Sequence, residues 1–247
     1  MDQAAQKSIS KICVHLCPIC GFSFLLSVLF SVWFAFVIGR NLGLFFGGLI
    51  LASILTPLLI VAERNLLRQL SIAVGIVLAI AIVWLSCVSN DAITLGEWLG
   101  AVLVLLIFAL AAAGLAALLG VIHLPPAVAV ILAIAWLSWP IWLAPALRGR
   151  ESSERIVGAI VAVNPTFAIQ GALSKSFNVP WAQYRIAYRL TNIGDDIPYQ
   201  MPTSIVRCCF FHAVIAFIGM LAAHWRGRKM SQAPPAHPPV DQSPRST

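Results

Sequence analysis

Charge is scarce in this chain: charged residues fill 10% of its 247 positions, against roughly 25% in an ordinary soluble domain. A soluble fold of this length needs far more polar surface than that, which argues against a water-soluble bundle. Asp, Glu, Lys and Arg are missing from the middle of every long apolar block. Proton- and ion-coupled carriers keep such groups at midplane as ligands for the coupling ion, so a carrier of that kind is disfavoured. There is no G-x-x-x-x-G-K-[ST] phosphate loop, no H-E-x-x-H and no G-x-S-x-G elbow, so the chain does not hydrolyse ATP by itself and is not expected to be an enzyme. Cysteine is sparse, and three of the six, Cys13, Cys17 and Cys20, crowd the amino-terminal segment. A disulfide framework is not indicated. No internal repeat is found, and no small-x-small cleavage site follows the first apolar block, which ends Trp33, Phe34, Ala35, Phe36, Val37, Ile38. That block reads as an uncleaved first span rather than a signal peptide.

What is present is apolar residue in long runs. Hydrophobic side chains make up 60% of the chain and gather in six blocks, 21–39, 42–62, 70–88, 98–122, 126–147 and 203–225. Each is near the ~20 residues a helix needs to cross the hydrocarbon core, and in lipid only a helix satisfies its own backbone within one segment. The expected fold is therefore all-α: a polytopic transmembrane helical bundle of about six spans. Residues 1–20 form a cytoplasmic amino-terminal segment, 21–225 the transmembrane domain, and 226–247 a disordered tail, Pro-rich from Ser231 onward.

The net charge of +7 reads as topology, because the basic residues sit at block ends: Lys7, Lys11, Arg64, Arg68, Arg226, Arg228 and Lys229. With both termini in the cytoplasm, the turn 63–68 falls inside with two arginines, and the loop 89–97, with Asp91 and Glu97 and no Lys or Arg, falls outside. Lipid is the expected surrounding and nucleic acid is not an expected partner. The same count puts 148–202 outside as a re-entrant or interfacial segment, although it carries six Lys and Arg, since structured segments translocate largely regardless of charge. Within it 156–173 is apolar but broken by Asn164-Pro165. That pattern reads as a re-entrant or interface-lying hairpin; if it crossed, there would be seven spans and the tail would change sides. Tyr184, Arg185, Tyr188 and Arg189 follow at helical spacing, a set that suits a helix at the headgroup interface.

Smaller features have ordinary explanations. Cys13, His15, Cys17 and Cys20 are metal-ligand types at high density, but they run straight into the first block and read as juxtamembrane thiols, so no metal or cofactor is expected. His212 lies inside the last block and is expected to hydrogen-bond a neighbouring helix. Ser138, Trp139, Pro140 and Pro145 should break the fifth block near its outer end. Gly39, Gly43 and Gly47 recur every four residues, as a close helix contact would require. Asp195 and Asp196 are adjacent and suit a turn or cap rather than acid–base work.

The order of these parts resembles the membrane subunits of type-2 ABC exporters. Six spans carry a short charged turn after the second, and a Pro-containing fifth span gives way to re-entrant helices before the sixth. In that family the outer segment commonly carries an apolar-Asn-Pro-apolar motif, matched here by Val161-Ala162-Val163-Asn164-Pro165-Thr166-Phe167-Ala168. The turn Ala62-Glu63-Arg64-Asn65 is similar to the stretch through which the family contacts its ATPase. Two features depart from the pattern: the turn is short for a full coupling helix, and the region after Asn178 is longer and more polar.

The resemblance implies a permease-like subunit in the plasma (inner) membrane. It would pair with a second copy or a homologue and work with a separate nucleotide-binding ATPase. Glu63, Arg64 and Arg68 would pass on the ATPase's closure, and 156–173 would form the outer gate, with Asn164 and Pro165 setting its break. The alternative is a non-transporting polytopic scaffold that uses 148–202 as an interfacial platform.

Overall fold

The computed structural model describes residues 42–60, 66–88, 93–147, 153–173, 202 and 204–231. The first apolar block, Glu63, Arg64, the Tyr184–Arg189 set and the Pro-rich residues beyond 231 lie outside the described residues. The described chain is all-helical: α1 (Leu42–Ile60), α2 (Leu66–Val88), α3 (Leu95–Val121), α4 (Pro126–Leu147), α5 (Ser153–Val163), α6 (Pro165–Leu173) and α7 (Val206–Ser231). Two of these helices, over Leu66–Leu85 and Leu95–Val121, are long and apolar enough to cross a membrane. Shorter apolar helical stretches run Leu44–Ile60, Pro126–Trp139 and Val206–Ala222.

Helix α3 is the hub, packing on α1, α2, α4, α6 and, most extensively, α7. Its sequence explains the position: Leu, Ala and Val occur all round it, and a helix apolar on every side is one surrounded by others. Its start is fixed by a capping box. The Thr94 hydroxyl accepts from the Glu97 backbone N–H at 3.3 Å, and the Glu97 carboxylate accepts the Thr94 N–H at 2.9 Å. Glu97 thus belongs to the first turn of α3 and not to the loop the sequence suggested.

The end of α3 is equally defined. Leu124 N–H reaches the Leu119 carbonyl at 3.1 Å and His123 N–H reaches Gly120 at 3.2 Å, the two bonds of a Schellman turn. His123 takes the left-handed position with φ 59°, where glycine is usual, and Pro125 stops any continuation.

On the other side of the hub, α1 and α2 interlock through Trp84, which is 1% exposed. Its ring lies 4.6 Å from Phe45 and its indole N–H reaches the Leu44 carbonyl at 3.3 Å. Gly48 makes the room, for a Cβ there would stand 2.5 Å from the Trp84 ring and 2.8 Å from the Ile80 methyl. The closest crossing is between α3 and α7: a Cβ on Gly114 would stand 2.9 Å from the Ala216 carbonyl oxygen, and one on Gly219 would fall on the Gly114 backbone.

Two boundaries and one helix interior differ from the sequence reading. Helix α2 begins at Leu66, so Arg68 sits in its first turn, because Leu66, Leu67, Arg68 and Gln69 are all good helix formers. Helix α4 is not interrupted by Pro140 and Pro145 but runs to Leu147. Helix α7 carries on through 226–231, part of the expected tail, on a run rich in Arg, Lys and Met.

Among the described residues apolar side chains lie on the exterior as well as in the core. Val74, Leu78, Ile82 and Leu85 on α2 are exposed, as are Val206, Phe210, Phe217, Leu221 and Trp225 on α7. Among the described residues the buried polar ones are Ser53, Thr56, Asn164, Gln170 and His212.

Candidate functional site

The Asn164-Pro165 break is where the structure concentrates its polar chemistry. Helix α5 ends at Val163 and α6 starts at Pro165, leaving Asn164 between them. Proline is favoured at the first position of a helix, where its missing N–H costs nothing and its φ is preset. Asparagine is among the best residues for the position before it. Asn164 does that work: its Oδ1 accepts the Thr166 N–H at 2.9 Å, and its carbonyl opens α6 by accepting from Ala168 at 3.0 Å. Its backbone N–H closes α5 onto Ile160 at 3.1 Å and Val161 at 3.3 Å.

The remaining part of Asn164 points across the bundle. Its Nδ2 donates to the Trp136 carbonyl of α4 at 2.9 Å, and the residue is fully buried. Trp136 in turn donates its indole N–H to His212 Nε2 on α7 at 3.2 Å. The imidazole completes the chain through Nδ1, which lies 2.8 Å from the Cys208 carbonyl. Since Nε2 must accept from the indole, Nδ1 carries the proton and donates to Cys208; the neutral tautomer is assigned by its partners. Aromatic rings wall the imidazole, with Phe108 at 5.5 Å and Phe211 at 5.2 Å, both edge to face. A second aromatic contact ties α4 to α6, the Trp139 and Phe167 rings lying 6.3 Å apart.

This arrangement connects helices and does not activate a nucleophile. The Cys208 thiol lies 3.6 Å from His212 Nδ1, but that nitrogen is a committed donor and cannot take the thiol proton. Among the described residues no group of three His, Cys, Asp or Glu side chains could hold a metal. Among the described residues two buried polar atoms, Thr56 Oγ1 on α1 and Trp139 Nε1 on α4, find no hydrogen-bond partner.

Of the residues singled out from the sequence, Asn164 and Pro165 come together in this site. Arg68 lies at the start of α2. Glu63, Arg64, Tyr184, Arg185, Tyr188, Arg189 and the amino-terminal cysteines lie outside the described residues. His212 bonds a neighbouring helix, as the sequence suggested. Trp136, its partner on two sides, was missed. The available signal was Pro140, four residues further on, which withholds the N–H that the Trp136 carbonyl would normally receive. Comparison with family models, characterised proteins and solved structures finds no match to this chain.

Proposed function

We propose that this chain is an integral membrane, permease-like subunit of an ATP-driven exporter, paired with a second copy or a homologue and driven by a separate nucleotide-binding ATPase. Membrane integration is supported by the apolar exterior. Bulky apolar side chains such as Phe210, Phe217 and Trp225 face outward, while Asn164, Gln170 and His212 are buried. Lipid tails accept such an exterior, whereas soluble monomers rarely expose a large contiguous apolar surface. The bulk of the α7 stripe also favours lipid over a close helix partner, since tight helix contacts in membranes use small residues. On this reading there are six spans, with both termini in the cytoplasm.

The observation that carries the exporter reading is the buried Asn164-Pro165 break, between the fifth apolar block and the last, where the exporter layout has its outer re-entrant helices. Helices α5 and α6 have 11 and 9 residues. At about 1.5 Å per residue neither crosses ~30 Å of hydrocarbon, so a helix–break–helix that enters and returns fits them. Glu63 and Arg64, with Arg68, form the ATPase-contact turn, and Tyr184, Arg185, Tyr188 and Arg189 an interfacial helix.

Gentle-detergent purification of the tagged chain, with its companions identified by mass spectrometry, tests the reading. A stoichiometric ATPase is expected, with ATP hydrolysis by the complex collapsing on Glu63→Ala combined with Arg64→Ala. A chain that emerges alone, under conditions that preserve a known exporter complex, would favour the scaffold instead. A scaffold tolerates the Glu63 and Arg64 changes and fails when Tyr184, Arg185, Tyr188 and Arg189 are replaced.

A further inference from the structure

In an α-helix each carbonyl receives the N–H four residues later, and proline has none to give. Pro140 therefore leaves the Trp136 carbonyl of α4 without its usual donor, and Pro165 does the same to Val161 of α5. Asn164 serves both vacated acceptors. Its side-chain amide donates to Trp136 at 2.9 Å, and its backbone N–H leans to Val161 at 3.3 Å. Two prolines on different helices thus create carbonyls that one asparagine fills.

We infer that α5–α6 is a separately releasable unit, latched to α4 where Asn164 meets the Trp136 carbonyl. The indole of Trp136 ties the receiving end of the latch to α7 through His212. At the far end of α6, Gly171 lies so close to Pro202 that a Cβ would strike the Pro202 carbonyl, so α6 stays with the entry to α7 and pivots there. Apolar contacts between α6 and its neighbours weigh little against lipid, which is as apolar as they are, and the latch then decides the position.

Hydration controls the latch. In a dry interior, release strands a carbonyl and an amide without partners, which is costly. Once water reaches the junction it partners both groups at little enthalpic cost, and the unit swings free. On the export reading, on which only the role rests, this release opens the outer gate.

Hydrogen–deuterium exchange of the full chain in lipid nanodiscs tests the latch without any transport assay. Pro140→Ala restores the N–H that α4 owes the Trp136 carbonyl and so competes with Asn164. Exchange over 153–173 should then rise about tenfold, while α4 is unchanged or slower and α3 is unchanged. A merely structural role for Pro140 does not produce that split. Asn164→Ser keeps an oxygen for the Thr166 cap but loses the amide arm that reaches the Trp136 carbonyl, and should release the same segment. The double variant should add nothing to the larger single effect. Unchanged exchange over 153–173 in Pro140→Ala, an equal rise across α3, or additive effects in the double variant would each overturn the latch. Absence of an ATPase companion would sink the export reading and leave the exchange result standing.

Discussion

At Gly114 and Gly219 two helices meet backbone against backbone, with no side chain between them. At Trp136 and Asn164 they meet through an amide and a carbonyl 2.9 Å apart. The first contact has one geometry, since close packing tolerates neither separation nor insertion and has no substitute partner. The second has a substitute in water. Helix α7 makes the first contact and backs the second: Gly219 seats it on α3, and His212, two turns earlier, ties it to Trp136 of α4. One helix thus bears the fixed joint and, about 10 Å away along its axis, the tie that holds the receiving side of the exchangeable one. A bundle built this way keeps α3–α7 as a rigid frame and confines the exchangeable joint to the α4–α5–α6 corner.

The largest effect should come from breaking the fixed joint. In Gly219→Val the new side chain meets the Gly114 backbone, which cannot turn aside as a flexible side chain would. Overpacking of this kind costs about 1–3 kcal/mol, occasionally more, and backbone as the obstacle places it at the upper end. Thermal unfolding in detergent, followed by size-exclusion chromatography, should show a lower midpoint and loss of the monodisperse peak. Near wild-type stability would mean that α3 and α7 can separate cheaply, and the contrast between the two joints would vanish.

The helices and their local breaks were largely legible in the sequence, and the contacts between helices were not. The apolar blocks foretold α1 and α4 closely, because twenty uncharged apolar residues leave the backbone few alternatives to helix. Asn164 and Pro165 marked their own break through local chemistry. The Thr94-x-x-Glu97 capping box was equally local, yet the charge of Glu97 drew it into the loop. Pairings across the chain were another matter. Gly114 is one of three glycines in its apolar block and Gly219 stands alone in its own, and nothing local names one as the other's partner. Likewise an indole N–H at Trp136 announces a need for an acceptor without saying which of the distant helices provides it. Pro140 looked like a helix breaker because the sequence does not reveal that a side chain from elsewhere takes over the missing N–H's role. These are long-range facts, carried by three-dimensional proximity.

A middle-sized effect should sharpen the comparison from the polar side. Trp136→Phe removes the indole donor while leaving the carbonyl for Asn164, and His212→Ala removes the acceptor. Hydrogen bonds between membrane helices average about 0.6 kcal/mol by double-mutant cycles, with a maximum near 1.7. The aromatic enclosure of His212 puts the expected coupling at about 1 kcal/mol. Unfolding in nanodiscs of the wild type, both singles and the double variant measures it. His212→Gln, with an oxygen for the indole and an N–H for the Cys208 carbonyl, should recover part of the loss. Additive single effects with no recovery would reduce Trp136 and His212 to space-filling residues, and α7 would hold α4 by packing alone.

The smallest effect lies at the covalent link between the two regions, the turn from α3 into α4. His123 holds a left-handed conformation with φ 59°, in which a Cβ crowds the backbone and glycine does not. His123→Gly relieves that crowding but gives the unfolded chain more freedom, so the net gain should be only about 0.5–1 kcal/mol. Because the Schellman bonds of Leu124 and His123 are backbone to backbone, they survive the change. Exchange over 153–173 should therefore stay at the wild-type rate while the unfolding midpoint rises slightly. A substitution that stabilises the turn and yet alters exchange at α5–α6 would show that α3 and α4 communicate through their connection. The latch would then be set by the turn as well as by Asn164, and the frame and the working corner would no longer be separable.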